Sequence, residues 1–365
     1  PCWLDRAVGQ LAGDTRMAAP EVFDLAAFLQ RIGLDDEPHL PPDLETLARL
    51  VSATLRSVPF ENLDVALGRG VDLDSTFAKV VAHRRGGYCF ELNSLMRAAL
   101  SALGFQTRRV LCRVLLGPEP SPFTHLVTVV SLDSEDYLVD VGFGSPSPRR
   151  PLPLSSLRGG CEACLPGRHG SLRVGAPLLA YPDAFRFVED CGQYVVSGGL
   201  RLQCLQSKAW AETGMPDLSQ VTEISQGCWK DQYVFHPDAP VLDGDVHIGN
   251  WSQSSMMPGN MWLAFRVAVL FTESGRKFLR DGKLVRESRA SNTDLETLFP
   301  VGELPAGTGG RREDGPVSRE EEEVSDERWL ETLREEFGLD LGWDHRRGEA
   351  VPLRGVGDFL PSARG

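Results

Sequence analysis

At about Phe105 the hydrophobic period of this chain changes from that of a helix to that of a strand, and the change decides what each side can form. Upstream, Leu25, Phe28, Leu29 and Ile32 recur at i, i+3, i+4 and i+7, with Gly33 as a stop. Leu44, Leu47, Val51 and Leu55 share a second helical face. Pro59 ends it, because a proline disfavours helical geometry in the residue before it. A third stripe, Leu92, Leu95, Met96, Ala99 and Leu103, precedes Gly104 at the place of a C-terminal cap. Downstream, the β-branched runs Arg108 to Leu115, Leu126 to Val130 and Tyr137 to Val141 are broken by Gly, Pro and Asp-Ser turns. Phe185 to Val188 and Tyr194 to Val196 continue the pattern, which predicts a barrel or sandwich after the helices.

A chain of 365 residues exceeds what one core normally serves, so two or three units with a cleft between them are expected. The third is read from the apolar run Leu263 to Phe271 and a last helix carrying Trp329, Leu330, Leu333 and Phe337, with Ser325 as its cap. The predicted class is α+β: a helical bundle over 20–104, a central antiparallel β-barrel over 105–200, and an α/β lid over 250–345. Residues 1–19 read as a disordered arm, 201–249 as an insertion and interdomain connection, about 305–323 as a mobile acidic loop, and 346–365 as a C-terminal tail.

The formal charge of −13 argues against a surface built to neutralise phosphates, so nucleic acid is not an expected partner. No apolar run reaches the roughly 18 to 20 residues of a membrane span, and no signal-peptide core opens the chain. Eight cysteines scattered over this length do not form the dense framework of a small secreted domain. Thiols in the cytoplasm, with no membrane partner, are the expectation, and nothing in the sequence indicates an oligomeric state.

The chemistry concentrates in three places. Arg84-Arg85-Gly86-Gly87-Tyr88-Cys89-Phe90-Glu91-Leu92-Asn93 sets two glycines before a cysteine at the first turn of a helix. Amide donors and the dipole there favour a negatively charged sulfur, and the glycines leave room beside it. His125 opens the strand Leu126 to Val130, and Asp140 closes the strand Tyr137 to Val139. A hairpin through Asp133-Ser134 would make the two neighbours. A lone buried cysteine or a lone strand-edge histidine is more often structural, but thiol, imidazole and carboxylate together perform roles that each requires of the others. Cys161-Glu162-Ala163-Cys164, with His169 nearby, has metal-ligand spacing, yet no second pair supplies the four ligands of a structural zinc, so no metal is expected.

In Pro59-Phe60-Glu61-Asn62-Leu63, Arg85-Gly86-Gly87-Tyr88-Cys89, Thr124-His125-Leu126 and Val139-Asp140-Val141-Gly142-Phe143-Gly144, by order and spacing, the chain resembles the arylamine N-acetyltransferases. The resemblance spans about 20–345 and is dense over 58–154. It implies a cysteine-protease-like catalytic core in a bundle, barrel and lid, with Cys89 as the acylated nucleophile, His125 as base and acid, and Asp140 holding the imidazole. It also implies ping-pong transfer of acetyl from acetyl-CoA to arylamines, arylhydrazines or N-hydroxyarylamines, with coenzyme A and a small-molecule acceptor as partners. Phe143, Gly142, Tyr88 and Phe123 become candidate substrate contacts, whereas Glu61 and Asn62 match a supporting block. Asn250-Trp251 resembles the start of a coenzyme-binding loop, making Gly259 and Asn260 candidate coenzyme contacts, but Pro258-Gly259-Asn260-Met261-Trp262 lacks the hydroxyl side chain expected there. The same three groups would also serve a thiol hydrolase or an amide synthase, and loss of coenzyme affinity would leave a binding scaffold.

Overall fold

The structure, a computed structural model, describes residues 23–37, 39–158, 160–163, 172–180, 183–190, 192–206, 228–255, 260–289, 317–345 and 347–359. The helices begin and end where local chemistry directs. Asp24 caps Leu25–Ile32 by accepting the Ala27 N–H at 3.0 Å, and Gly33, at φ 73°, closes it in the left-handed conformation. Asp43 caps Leu44–Ser57 in the same way through Thr46 N–H at 2.8 Å. With Cys89–Ala102 these helices bury Phe28, Leu47, Leu50, Leu92, Met96 and Ala99 in one core, which also takes Leu126, Val130 and Val139 from the strands and Phe278 and Val285 from the last unit.

The strands form a ten-stranded antiparallel sheet. Gln106–Val114, Phe123–Leu132 and Glu135–Val139 follow one another, and Cys228–Phe235, Leu200–Gln206 and Asp183–Glu189 extend the sheet from Gln106–Val114. Residues 201–206 and 228–235, read from the sequence as part of a connection, are therefore inner strands; 207–227 lie outside the described residues. Alternation places Val110, Val127, Val129, Leu138, Phe187 and Phe235 on the enclosed face, which carries its own core. The sheet curls until Ala176 N–H reaches Ser156 O at 3.4 Å, but its end strands do not pair among the described residues, so it is an open curled sheet rather than a closed barrel. One reason lies at the edge strand Leu152–Pro153: Pro153 has no N–H to offer, and the chain turns at once into the 3₁₀ segment Leu154–Leu157.

A second antiparallel sheet runs Phe60–Glu61, Val267–Phe271, Gly275–Arg280, Lys283–Arg289, Val317–Glu323. Several expectations change here. Phe60 and Glu61, assigned to the bundle, pair with Val269 and Ala268 of the last unit, because Asn62 fixes that unit's entry by donating to Trp262 O and Phe265 O and accepting Val267 N–H. Val317–Glu323, assigned to the acidic loop, is the edge strand, with Glu320 and Glu322 opposite Arg286 and Leu284; residues 305–316 lie outside the described part. The last helix starts at Trp329 rather than at a Ser325 cap, after a turn closed by Arg328 N–H to Ser325 O. Trp329, Leu333 and Phe337 bury against Leu279 and Leu284, and Phe359, placed in the tail, stacks edge-on against Trp329 at 5.1 Å. The expected 1–19 arm lies outside the described residues. No described helix is long and apolar enough to cross a membrane.

Candidate functional site

The strand hairpin brings two of the three candidates together. Asp133 and Ser134 both adopt positive φ, as a two-residue hairpin turn requires, and the register pairs Leu132 with Glu135 and Thr128 with Val139. Continued past the last ladder pair, this register sets Asp140 opposite Val127, so that His125, two residues along the same face, is its diagonal neighbour, with Nε2 and Oδ2 2.8 Å apart. Both side chains are almost wholly excluded from water.

Cys89 comes to them from the helix. It is the first residue of Cys89–Ala102, 3% exposed, with Sγ 3.7 Å from the Thr124 carbonyl oxygen beside His125. One turn along, Asn93 ties the helix to the hairpin: Nδ2 donates to Leu126 O at 2.7 Å and to Asp140 Oδ1 at 2.9 Å, and Oδ1 accepts Val141 N–H at 3.0 Å. The approach is close enough to require a glycine. A Cβ on Gly142 would stand 2.7 Å from Cys89 Cα and 2.8 Å from Asn93 Nδ2. Gly142→Ala is accordingly expected to destabilise the fold by about 1–3 kcal/mol. Because a shift near 1 Å between reacting groups costs about 100-fold in rate, its kcat/KM should fall by that order where the protein is still folded. Calorimetry and steady-state kinetics at one temperature check both.

Burial opposes charge on the His125 imidazole, but Asp140's charge and hydrogen bond, with a further contribution from Cys89, raise its pKa from 6.5 to about 10. Burial likewise opposes charge on Asp140, yet His125, Asn93 and the Gly142 N–H, at 3.0 Å from Oδ1, hold its carboxyl below the ordinary value. Each partner keeps the other ionised. The tautomer with its proton on Nε2, toward Asp140, leaves Nδ1 as the atom able to exchange a proton with sulfur.

Phe143, partly buried, stands edge-on to His125 at 5.0 Å and to Tyr233 at 5.1 Å, and Tyr233 lies 4.9 Å from the imidazole. An aromatic wall thus encloses the ring that would carry the proton. Neither Tyr233 nor Asn93 was singled out by the sequence reading. Asn93 has a signal, since a helix places residues i and i+4 on one face. Tyr233 has none, because it arrives on a strand distant in sequence from both His125 and Asp140.

Other candidates sit elsewhere. Tyr88 is 1% exposed and its hydroxyl is bound to Asn250, whose own amide donates to Val71 O at 2.9 Å, so Tyr88 anchors the helix start instead of lining an open pocket. Phe123 is 40% exposed beneath the Arg113 guanidinium, 4.1 Å from its ring centre. Asn260 spends its amide on Gln253 O and Ser255 O, both at 2.8 Å, and accepts Trp262 N–H at 3.0 Å. Its side chain therefore closes a turn. Gly259, Cys164 and His169 lie outside the described residues. Among the described residues no cluster of three His, Cys, Asp or Glu side chains could hold a metal.

A family model described as N-acetyltransferase matches residues 43–160. An arylamine N-acetyltransferase of Mycolicibacterium smegmatis is 46% identical over 142 residues, 36% of this chain and 51% of that one. Over this and the next matches, the chain spans about half the length of the curated relatives. The likeness to arylamine N-acetyltransferase 2 of Mus musculus is longer, 35% over 280 residues, covering 74% of this chain and 87% of the mouse protein. Among solved structures, arylamine N-acetyltransferase of M. tuberculosis superposes with a TM-score of 0.62 at 26% identity, covering 87% of this chain and 93% of the other. That of Mycobacterium marinum, in complex with CoA, gives 0.62 at 25% identity, covering 89% and 97%. With its helices, curled sheet and the strand-borne pair His125 and Asp140 against the start of the Cys89 helix, this chain belongs to the arylamine N-acetyltransferase family.

Proposed function

We propose that the protein transfers the acetyl group of acetyl-CoA to the nitrogen of arylamines and arylhydrazines, or to the oxygen of N-hydroxyarylamines, through an acetyl-Cys89 intermediate. The observation that carries the reading is the buried His125–Asp140 pair, 2.8 Å apart, beside a sulfur at a helix start. Cys89, His125 and Asp140 act as nucleophile, base and orienting carboxylate, the division of labour of a cysteine-protease-like core. Three units contribute: the bundle carries the sulfur, the curled sheet the imidazole and carboxylate, and the last unit braces the Pro59–Leu63 block.

An imidazole whose proton affinity is raised to about 10 is matched to take a proton from a thiol. The sulfur attacks the thioester carbonyl, and backbone amides at the helix start stabilise the tetrahedral oxyanion. When the carbon–sulfur bond to coenzyme A breaks, His125 returns the proton to the departing thiolate. The acceptor's nitrogen or oxygen then attacks acetyl-Cys89, His125 takes its proton, and the acetyl group leaves sulfur. Phe143 offers the edge against which an aromatic acceptor lies. No metal enters the scheme, and the setting is the cytoplasm, where the thiols stay reduced.

Incubation with acetyl-CoA alone, followed by mass spectrometry of peptides, is expected to place one acetyl group on Cys89. Adding an arylamine should remove it with formation of the amide. Release of acetate without any acceptor, in place of a stable adduct, would select the hydrolase reading instead.

A further inference from the structure

We propose that Lys79 is a positioning residue for this reaction: by bridging three buried carboxylates it fixes Glu91, the residue that caps the Cys89 helix, and through it the sulfur. The inference rests on the acetyl-Cys89 reading and deepens it. The helix does not receive a side-chain hydrogen bond from Tyr88 at its cap position. Its first turn is held from within instead, by Glu91 Oε2 accepting the Tyr88 N–H at 3.0 Å. The other oxygen of Glu91 accepts Lys79 Nζ at 2.8 Å, and the same Nζ lies 2.7 Å from Asp64 Oδ2 and 3.8 Å from Glu61 Oε1. Arg85 supplies the second cation, 2.7 Å from Glu61 and 3.2 Å from Asp64.

None of these five side chains has appreciable contact with water. Lys79 stands on the π-helical turn Ala78–Ala82, a wound-in residue of the kind that re-aims one side chain. Gly87 completes the arrangement, since a Cβ there would meet Glu91 Oε2 at 2.8 Å. The groups facing Glu91 are Lys79, Glu61, Asp64 and the Tyr88 ring, so Lys79 is the cation in direct contact with it. Without that cation, Arg85 beside Glu61 and Asp64 and Arg69, 3.6 Å from Asp64, would remain in the water-excluded site, and neither is paired with Glu91. Glu91, whose carboxyl is raised by burial to about 6 even beside Lys79, would take a proton and turn toward Asp64 or Glu61. Tyr88, and the cysteine that follows it, would lose their fixed position.

The test uses the full chain and two readouts at Cys89, acetylation by acetyl-CoA and alkylation by iodoacetamide, each resolved by peptide mass spectrometry. Lys79→Met is expected to slow both by about 100-fold, the effect of a misplacement near 1 Å, with the acceptor KM unchanged. Lys79→Met/Glu91→Gln should recover to within about tenfold of wild type, since one lost charge-assisted bond is worth roughly that factor and the glutamine keeps an oxygen for Tyr88 N–H. A single variant that melts earlier but reacts at the wild-type rate while folded would overturn the proposal, as would a double variant no faster than the single. If Lys79→Met does not fold, Glu91→Gln alone decides, expected about tenfold slower, with an unchanged rate counting against the proposal. Should wild-type Cys89 alkylate normally yet never acetylate, the functional reading fails, and the alkylation rates still judge the role of Lys79.

Discussion

Cys89→Ala is expected to abolish the acetyl-enzyme and to lower kcat/KM by a factor on the order of 10⁴ to 10⁶, while the protein stays folded. The size follows from the chemistry: with no sulfur, the amine must attack the thioester directly, and only the positioning by the site survives. The fold should survive because the residue is small and its removal leaves the helix cap on Glu91 and the Asn93 bridge in place. Buried Cys204, on an inner strand of the curled sheet, provides the comparison. Cys204→Ala should lower the melting temperature through the cavity it leaves and spare the turnover of folded protein. A Cys89→Ala variant retaining a tenth of wild-type activity would remove the covalent intermediate from the mechanism.

The parts of this site legible from residues alone were those set by local rules. A two-residue turn at Asp133-Ser134 dictates that His125 and Asp140 meet, and a cysteine after two glycines at a helix start dictates where the sulfur is. What escaped depends on packing between distant segments. Tyr233 reaches His125 only because Cys228–Phe235 pairs with Gln106–Val114 across a stretch that carries no periodic signal. The pairing of Phe60 with Val269 is invisible for the same reason: a two-residue strand has no period to read. The open sheet shows the opposite failure. Strand patterning gives the number and length of strands, whereas closure turns on whether the end strands can exchange hydrogen bonds, and at one end Pro153 cannot donate. Asn260 illustrates how a motif position says nothing of where its amide is spent.

Asp140→Asn is the second change with a large expected effect, and it has two consequences. Oδ1 accepts N–H groups from Asn93 and Gly142, so the oxygen of an introduced amide must stay there and its NH₂ must face His125 Nε2. That nitrogen then has to accept, which moves the ring proton to Nδ1, the wrong side for taking a proton from sulfur. A loss of about 10⁴-fold in the acetylation rate is expected, the magnitude of a tautomer error in a triad. The second consequence is on stability. His125 in the folded wild type holds its proton to about pH 10 against 6.5 when unfolded, so between these values the folded state binds more protons. The stabilisation is complete below about 6.5 and is lost as pH rises toward 10. Asp140, held below 3.8, contributes stability above that pH and loses it as pH falls through its lowered value. With the carboxylate gone, only Cys89 still opposes the burial of the charged imidazole, so the folded variant binds fewer protons than wild type between about pH 6.5 and 10 and lacks the stabilisation that wild type loses over that range. Melting temperatures of the two proteins across pH 5 to 10 should therefore converge on the alkaline side, and a constant gap over that range would mean that His125 and Asp140 do not share a proton in the folded state.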